Sequence, residues 1–534
     1  MNLMNPIAAL CFAAVALSAV SVIAQANIAE NQSTVVLRVD AYSGSDVAAG
    51  VVGQPLKTLQ AAVGQALINN SHGIGTKVLV NPGVYREVLD LSANTAQTTA
   101  PITIEAAQVG TAVISGSDLL THWYQGTSNR SIYTHSWNYN LGYCAVPAGW
   151  PSGIQPIVRR REMIFVNNVS LKQVLSLSQM HSGTFFVNES SNVIQIWPAA
   201  GTNMSTAQVE AAVRPEILNV SGRNNVVFRG IVLQHAATCM NHDGANVYNS
   251  TNVLFDSVQV KWNNWGGLGI ASSNWITVKN SVATYNGGVG FSGFHSRNAL
   301  YENNESDYNN WRGAAGGLLN WGMGGLKLMQ MHTATVNQFY AYRNQAQGLW
   351  FDTGNKNIII NNVHLAENKV ANLQLEANQG PVSISNSSSC SGDIGLLVIN
   401  TEHLTATGNV FYNNATQLFL AGNPGGRALT DWETHRYYWL YTSFTTLKNN
   451  VVQDANSGQR VFYTYLAGND WNQFASNVTG SANHWYDPTS AKKFVLPSNH
   501  QVDLPGWRNA TRSDYSSSWL SDSQASAACR IPGH

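Results

Sequence analysis

Charge is the first thing this sequence has little of. Only 11% of its 534 residues are Asp, Glu, Lys or Arg, and 29 basic residues balance 29 acidic ones. A nucleic-acid partner calls for a basic stripe to neutralise phosphates, so none is expected. Long-range steering of a polyanion is disfavoured on the same ground. Cysteine is scarce too, with five residues. Cys11 lies in an N-terminal apolar run, and Cys144, Cys239, Cys390 and Cys529 show no C-x-x-C spacing, which removes a zinc site. These four can pair in an oxidising compartment, but their spacing fixes no connectivity. The chain has no G-x-S-x-G, no glycine-rich phosphate loop and no HExxH, so serine hydrolase, NTPase and zincin chemistries drop out. Beyond the N-terminus, no stretch is long and apolar enough to cross a bilayer.

What is present begins with an export signal. An apolar run from Ile7 to Ile23 precedes small residues at Ala24 and Ala26, an A-x-A-like cleavage site. Met1 to Pro6 contain no Lys or Arg, unlike an ideal signal, yet the run is short for an anchor and no basic stop-transfer segment follows. Residues 1–26 therefore read as a signal peptide. The mature chain is expected to be secreted or periplasmic, without membrane contact, and monomeric. Sequons such as those at Asn188 and Asn304 arise by chance in a chain so rich in Asn and Ser.

Internal repetition is the strongest signal. Short alternating segments begin at Asn225, Asn252, Asn274, Asn298, Thr333, Asn357 and Pro381, separated by 27, 22, 24, 35, 24 and 24 residues. Period-2 alternation with Asn or Gly at the corners means short strands rather than helices. Strands recurring at this interval, with connections too short for a helix, build a solenoid of parallel strands stacked at about 4.8 Å. The 35-residue step implies an excursion between Asn309 and Gly322 that carries Trp311, Arg312 and Trp321, a wall beside the strand face where solenoids bind ligands. A helix beginning at Pro55-Leu-Lys-Thr-Leu caps the first coil. The expected division is an N-terminal cap with the first coils over 27–121, an aromatic-rich inserted β subdomain over 122–213, a central solenoid over 214–430, and irregular closing coils over 431–534.

Several landmarks carry a family resemblance. Tyr42-Ser-Gly-Ser-Asp, Pro55-Leu-Lys-Thr-Leu-Gln and Asn81-Pro-Gly-Val-Tyr-Arg-Glu resemble the opening of the pectate-lyase-like superfamily of secreted β-helix proteins. Arg160-Arg-Glu-Met-Ile-Phe-Val-Asn-Asn is similar to the β subdomain inserted in some β-helix glycosidases. Gly324-Gly-Leu-Lys, Gly348-Leu-Trp-Phe-Asp and Leu373-Gln-Leu-Glu resemble the central motifs of that glycosidase-like group, which includes β-xylosidases. The resemblance implies an all-β fold, a right-handed parallel β-helix. It further implies activity on a polysaccharide or oligosaccharide, although the superfamily also holds lyases, epimerases and binding proteins. The 16 Trp and 20 Tyr suit sugar faces as well as cores.

Register locates the candidate chemistry. If Leu326/Leu328, Leu349/Phe351 and Leu373/Leu375 point inward, Lys327, Trp350 and Gln374 form one outward ladder, and Met329, Asp352 and Glu376 the next. Asp352 and Glu376 then emerge from adjacent coils, the spacing a retaining glycosidase needs between nucleophile and proton donor. Asp352 is the expected nucleophile and Glu376 the acid/base. Trp350 offers a stacking surface, Lys327 and Gln374 hydrogen bonds to sugar hydroxyls, and Trp321, Trp311 and Arg312 further substrate contacts. A plainer reading has Asp352 organising the following Thr-Gly-Asn turn and Glu376 as a solvated strand end. No metal or cofactor is expected for hydrolysis. A lyase or epimerase would instead use Lys327 as base, helped by Arg312, Arg343 or calcium, though no dense Asp cluster for calcium is visible. A non-catalytic sugar-binding protein would rely on Trp350 and Trp321. Asn246, Asn263, Asn264, Asn303, Asn361 and Asn362 are expected to cap turns and ladder along the coils. Asn241-His242-Asp243-Gly244 and His332 read as structural.

Overall fold

The computed structural model describes residues 25–92 and 96–529. The expected export segment therefore lies outside the described residues, apart from Gln25 and Ala26. Among the described residues no helix is long and apolar enough to cross a membrane.

The chain winds into a right-handed parallel β-helix. Its coil strands assemble into a 13-stranded sheet on one face and a bent 24-stranded sheet around the rest. The corners explain how a polypeptide turns this tightly. Asn225, Asn252, Asn280, Asn298 and Asn357 hold φ between +50° and +58°. Asn tolerates this left-handed region because its short amide bonds locally. Inside, like stacks on like: Leu268, Phe291, Leu326, Leu349, Leu373, Leu396, Leu418 and Phe462 are consecutive register partners on the 13-stranded face. All eight are buried in one continuous core.

Buried amides run beside that core. Asn263 Nδ2 donates to Asn286 Oδ1 at 3.0 Å, Asn286 to Asn309 at 3.1 Å, Asn309 to Asn344 at 2.9 Å and Asn344 to Asn368 at 2.9 Å. Each rung satisfies a corner that would otherwise leave polar groups unpaired in the interior. Asn303 and Asn361 form corresponding surface rungs with Asn280 and Asn337.

Helix Leu59–Ser71 covers the open end of the first coil, with the Thr58 hydroxyl accepting from Ala61 N and Leu59, Ala62, Val63 and Ala66 buried. Two small sheets, one antiparallel and one mixed, interrupt the solenoid within 117–212 and enclose a core of their own around Trp137, Ile164, Phe185 and Ile194. Coils continue well past residue 430, through Arg460–Thr464 and His484–Tyr486. The repeat blurs there because a hairpin, Arg427–Thr430 with Tyr437–Leu440, and helix Gly468–Asn477 are spliced between coil strands.

Cys144 pairs with Cys239 and Cys390 with Cys529. The first bond ties the inserted subdomain to the solenoid, and the second anchors the C-terminal tail to a coil strand.

Candidate active site

A cavity of about 820 Å³ opens on the 13-stranded face. Its floor is made by four strands, Val289–Phe294, Gly324–Met329, Leu349–Asp352 and Leu373–Glu376. Because side chains alternate across a strand, burying Leu326, Leu349 and Leu373 turns Lys327, Trp350 and Gln374 outward into the cavity. The same alternation puts Asp352 opposite Glu376 as direct register partners.

These two carboxyls are held differently. Asp352 receives the Lys327 ammonium at 2.9 Å and the Thr353 hydroxyl at 2.8 Å. Glu376 accepts from Arg427 Nη1 at 2.8 Å on Oε1 and from Gln374 Nε2 at 2.9 Å on Oε2. Burial, reinforced by the negative charge of Asp352, lifts the Glu376 carboxyl above the usual carboxylate range; Arg427 and Lys327 oppose this and lose. Lys327 is itself buried, which pulls its ammonium below the ordinary lysine range against the attraction of Asp352.

The expected roles of the outward ladder need correcting. Lys327 sits over the Trp350 ring, 3.4 Å from its centroid, so that face is not free for a sugar. What Trp350 retains is an indole Nε1 that is buried without a hydrogen-bond partner. Gln374 is committed to Gln347, which donates at 2.8 Å, and to Glu376. Lys327 and Gln374 thus position the carboxyls.

Three further expectations fail. Arg312 is 2% exposed and does not line the cavity. Its guanidinium donates to Asn264 Oδ1 at 2.9 Å, Gln173 Oε1 at 2.9 Å and the Glu162 carbonyl at 2.7 Å, riveting the excursion to the inserted subdomain. Trp311 packs near Trp262 at the opposite corner, its Nε1 donating to the Tyr285 carbonyl. Arg343 also lies away from the cavity, paired with Glu367 at 2.8 Å. Trp321 does line the cavity and is 46% exposed.

Other lining residues come from outside the repeat. Trp150, from the inserted subdomain, lies 6.5 Å from Trp321 and 6.0 Å from Trp265, ring centre to ring centre, forming an aromatic rim. Arg427 arrives on the hairpin. His332 fastens that hairpin, with Nδ1 2.6 Å from Glu433 and Nε2 3.2 Å from Asp431, and Arg297 grips Glu433 at 2.7 Å. Asp243 projects into the cavity from strand Asp243–Tyr248, and Asn246 lines it nearby. The only signal for Asp243 was the Asn-His-Asp-Gly stretch, which reads as a turn.

The family model for a right-handed β-helix region matches residues 216–386. A solved structure titled as the complex of XylC with xylose superimposes with a TM-score of 0.64 at 12% identity, over 91% of this chain and 87% of that one. A structure titled as a glycoside hydrolase gives 0.50 at 10% identity, over 89% of this chain and 98% of that one. The A-module of the Azotobacter vinelandii mannuronan C-5 epimerase AlgE4 gives 0.48 at 14% identity, over 80% and 91%. At such identities the likeness is one of fold. No curated protein matches the sequence.

Proposed function

We propose that this right-handed parallel β-helix is an exported glycoside hydrolase that cleaves polysaccharide or oligosaccharide with retention at the anomeric carbon. One observation carries the reading: Asp352 and Glu376 are register partners on adjacent strands at the floor of a large cavity. Neighbouring strands lie about 4.8 Å apart. Retaining enzymes separate their carboxyls by about 5–5.5 Å, whereas inverting ones need room for a water between them.

The environments divide the roles. Lys327 and Thr353 stabilise Asp352 as a carboxylate, suited to attack the anomeric carbon. Burial and the charge of Asp352 favour a protonated Glu376, suited to donate that proton to the glycosidic oxygen as the bond to the leaving sugar breaks. The product is a glycosyl ester on Asp352 and a free leaving group. Glu376, now ionised, takes a proton from water as the water oxygen attacks the anomeric carbon and releases Asp352. The two solved structures with the higher overlap, one holding xylose and one titled glycoside hydrolase, support the reading by fold.

Elimination with Lys327 as base is the second reading, favoured by the burial that lowers its affinity for a proton. Against it, the salt bridge to Asp352 holds that proton on the nitrogen. Export is supported by the N-terminal apolar run and by two disulfides, which persist in oxidising compartments.

Incubation with a panel of polysaccharides and oligosaccharides, followed by product mass and proton NMR of the first-formed anomer, tests the proposal. Hydrolysis adds water across the bond and retention gives back the substrate's anomer. Unsaturated products would transfer the site to elimination, and sugar binding without any product would remove catalysis altogether.

A further inference from the structure

Asp243 is the one acid in the cavity for which the carboxyl pair has no use. Its side chain lies along the wall, across strand Gly266–Ala271, and Oδ2 accepts from Ser292 Oγ at 3.0 Å. The strand beneath is stripped to make room: a Cβ at Gly266 or Gly269 would overlap the Asp243 carboxylate. Gly269 is the register partner of Ser292, Ser292 of Lys327 and Lys327 of Trp350, so the strand beneath the carboxylate lies three strand spacings, about 14 Å, from the Asp352 strand. That is the reach of a neighbouring part of one bound sugar chain.

No cation answers Asp243 among the described residues. Lys327 is paired with Asp352 and Arg427 with Glu376. Both bases that line the cavity, Lys327 and Arg427, thus stand at the carboxyl pair, and neither offsets the charge of Asp243. A half-buried carboxylate with one hydroxyl partner is costly, and a packing role would be served as well by an amide. Such costs concentrate where a ligand supplies the missing partners.

We infer that Asp243 is a specificity-determining residue of this cavity, which accepts hydrogen bonds from the hydroxyls of an uncharged sugar unit and repels uronates. The inference rests on the carbohydrate reading above and narrows its substrate class to neutral glycosides. A carboxylate accepts from two hydroxyls at once, the pattern of a vicinal diol, and an acidic sugar placed there would meet like charge with no cation to offset it.

The test measures equilibrium binding by calorimetry to the full chain with thio-linked xylotriose, thio-linked cellotriose and thio-linked trigalacturonic acid. The sulfur linkage resists hydrolysis, so binding is read whether or not the chain cleaves bonds. Products from the oxygen-linked counterparts separately judge the hydrolase proposal. The wild type should bind a neutral probe at least about tenfold more tightly than the uronate. Asp243→Asn, which keeps the shape and removes the charge, should weaken neutral binding and narrow the gap to the uronate, and Asp243→Ala should weaken neutral binding further. Unchanged neutral affinity in a folded variant would overturn the inference. So would wild-type protein that binds the uronate as tightly as the neutral probes, or binds none of the three, and this arm needs no variant to fold.

Discussion

Arg427 reaches Glu376 Oε1 across 2.8 Å from a hairpin 51 residues further along the chain, while its second nitrogen donates to Thr353 Oγ1 at 3.0 Å. Thr353 in turn donates to Asp352. One guanidinium therefore spans both carboxyls, directly on one side and through a hydroxyl on the other. Its charge opposes the burial that raises Glu376, so it sets how far above the ordinary range that acid rises.

Arg427→Ala removes the opposing charge, and the Glu376 affinity for its proton should rise further. A general acid works while protonated, so the alkaline limb of the kcat/KM profile should move up by about one pH unit. A purely structural role for Arg427 would lower the whole profile without moving its limb, and that result would sink the tuning argument.

The carboxyls should separate by leaving group. Glu376→Gln should slow cleavage of an alkyl-linked oligosaccharide by about 10²–10⁴-fold, yet spare much of the glycosylation step on an aryl glycoside whose phenolate leaves without protonation. Asp352→Asn should abolish both. If Asp352→Asn rather than Glu376→Gln keeps the aryl substrate, the two roles are reversed. Equal retention of activity by both variants discards the pair.

Much of the fold and part of the site were legible because they share one cause. The alternation of Leu326/Leu328, Leu349/Phe351 and Leu373/Leu375, repeated at a constant step, is both what buries the core and what aligns Asp352 with Glu376. Whatever enters from outside the repeat left no periodic trace. Arg427 follows a glycine-rich turn, Trp150 sits in an irregular loop, and Asp243 reaches the cavity only because strand Gly266–Ala271 lacks side chains where the carboxylate lies. Arg312 was misread for a related reason. An arginine between aromatics looks like a ligand contact until the docking of a second subdomain is known, and register within the coils says nothing of that docking.

Arg312 should accordingly matter for cohesion more than chemistry. Arg312→Met leaves Asn264 Oδ1, Gln173 Oε1 and the Glu162 carbonyl short of a donor in a buried seam, a loss of at least about 3 kcal/mol. Hydrogen exchange should rise in 156–174 and around 264, with the melting temperature lowered. Unchanged exchange in both segments would show that the seam is held by other contacts.

Asp243 gives the clearest dependence of stability on pH. Burial raises its carboxyl from 3.8 to about 6 in the native state. The native state therefore binds the proton more tightly than the unfolded chain. The resulting stabilisation is complete below about 3.8 and is lost as pH rises through about 6. Above that, the ionised group costs at most about 3 kcal/mol, at about 1.4 kcal/mol per unit of separation. Asp243→Asn carries no such proton, so it should melt higher than the wild type at pH 7.5, with the advantage shrinking as pH falls to 4.5. Taking the difference between the two proteins cancels groups common to both, Glu376 among them. A variant that melts lower than wild type at pH 7.5, or by the same margin at every pH, would mean that Asp243 is held by its packing rather than strained by its charge. The specificity assigned to it would then lose its physical basis.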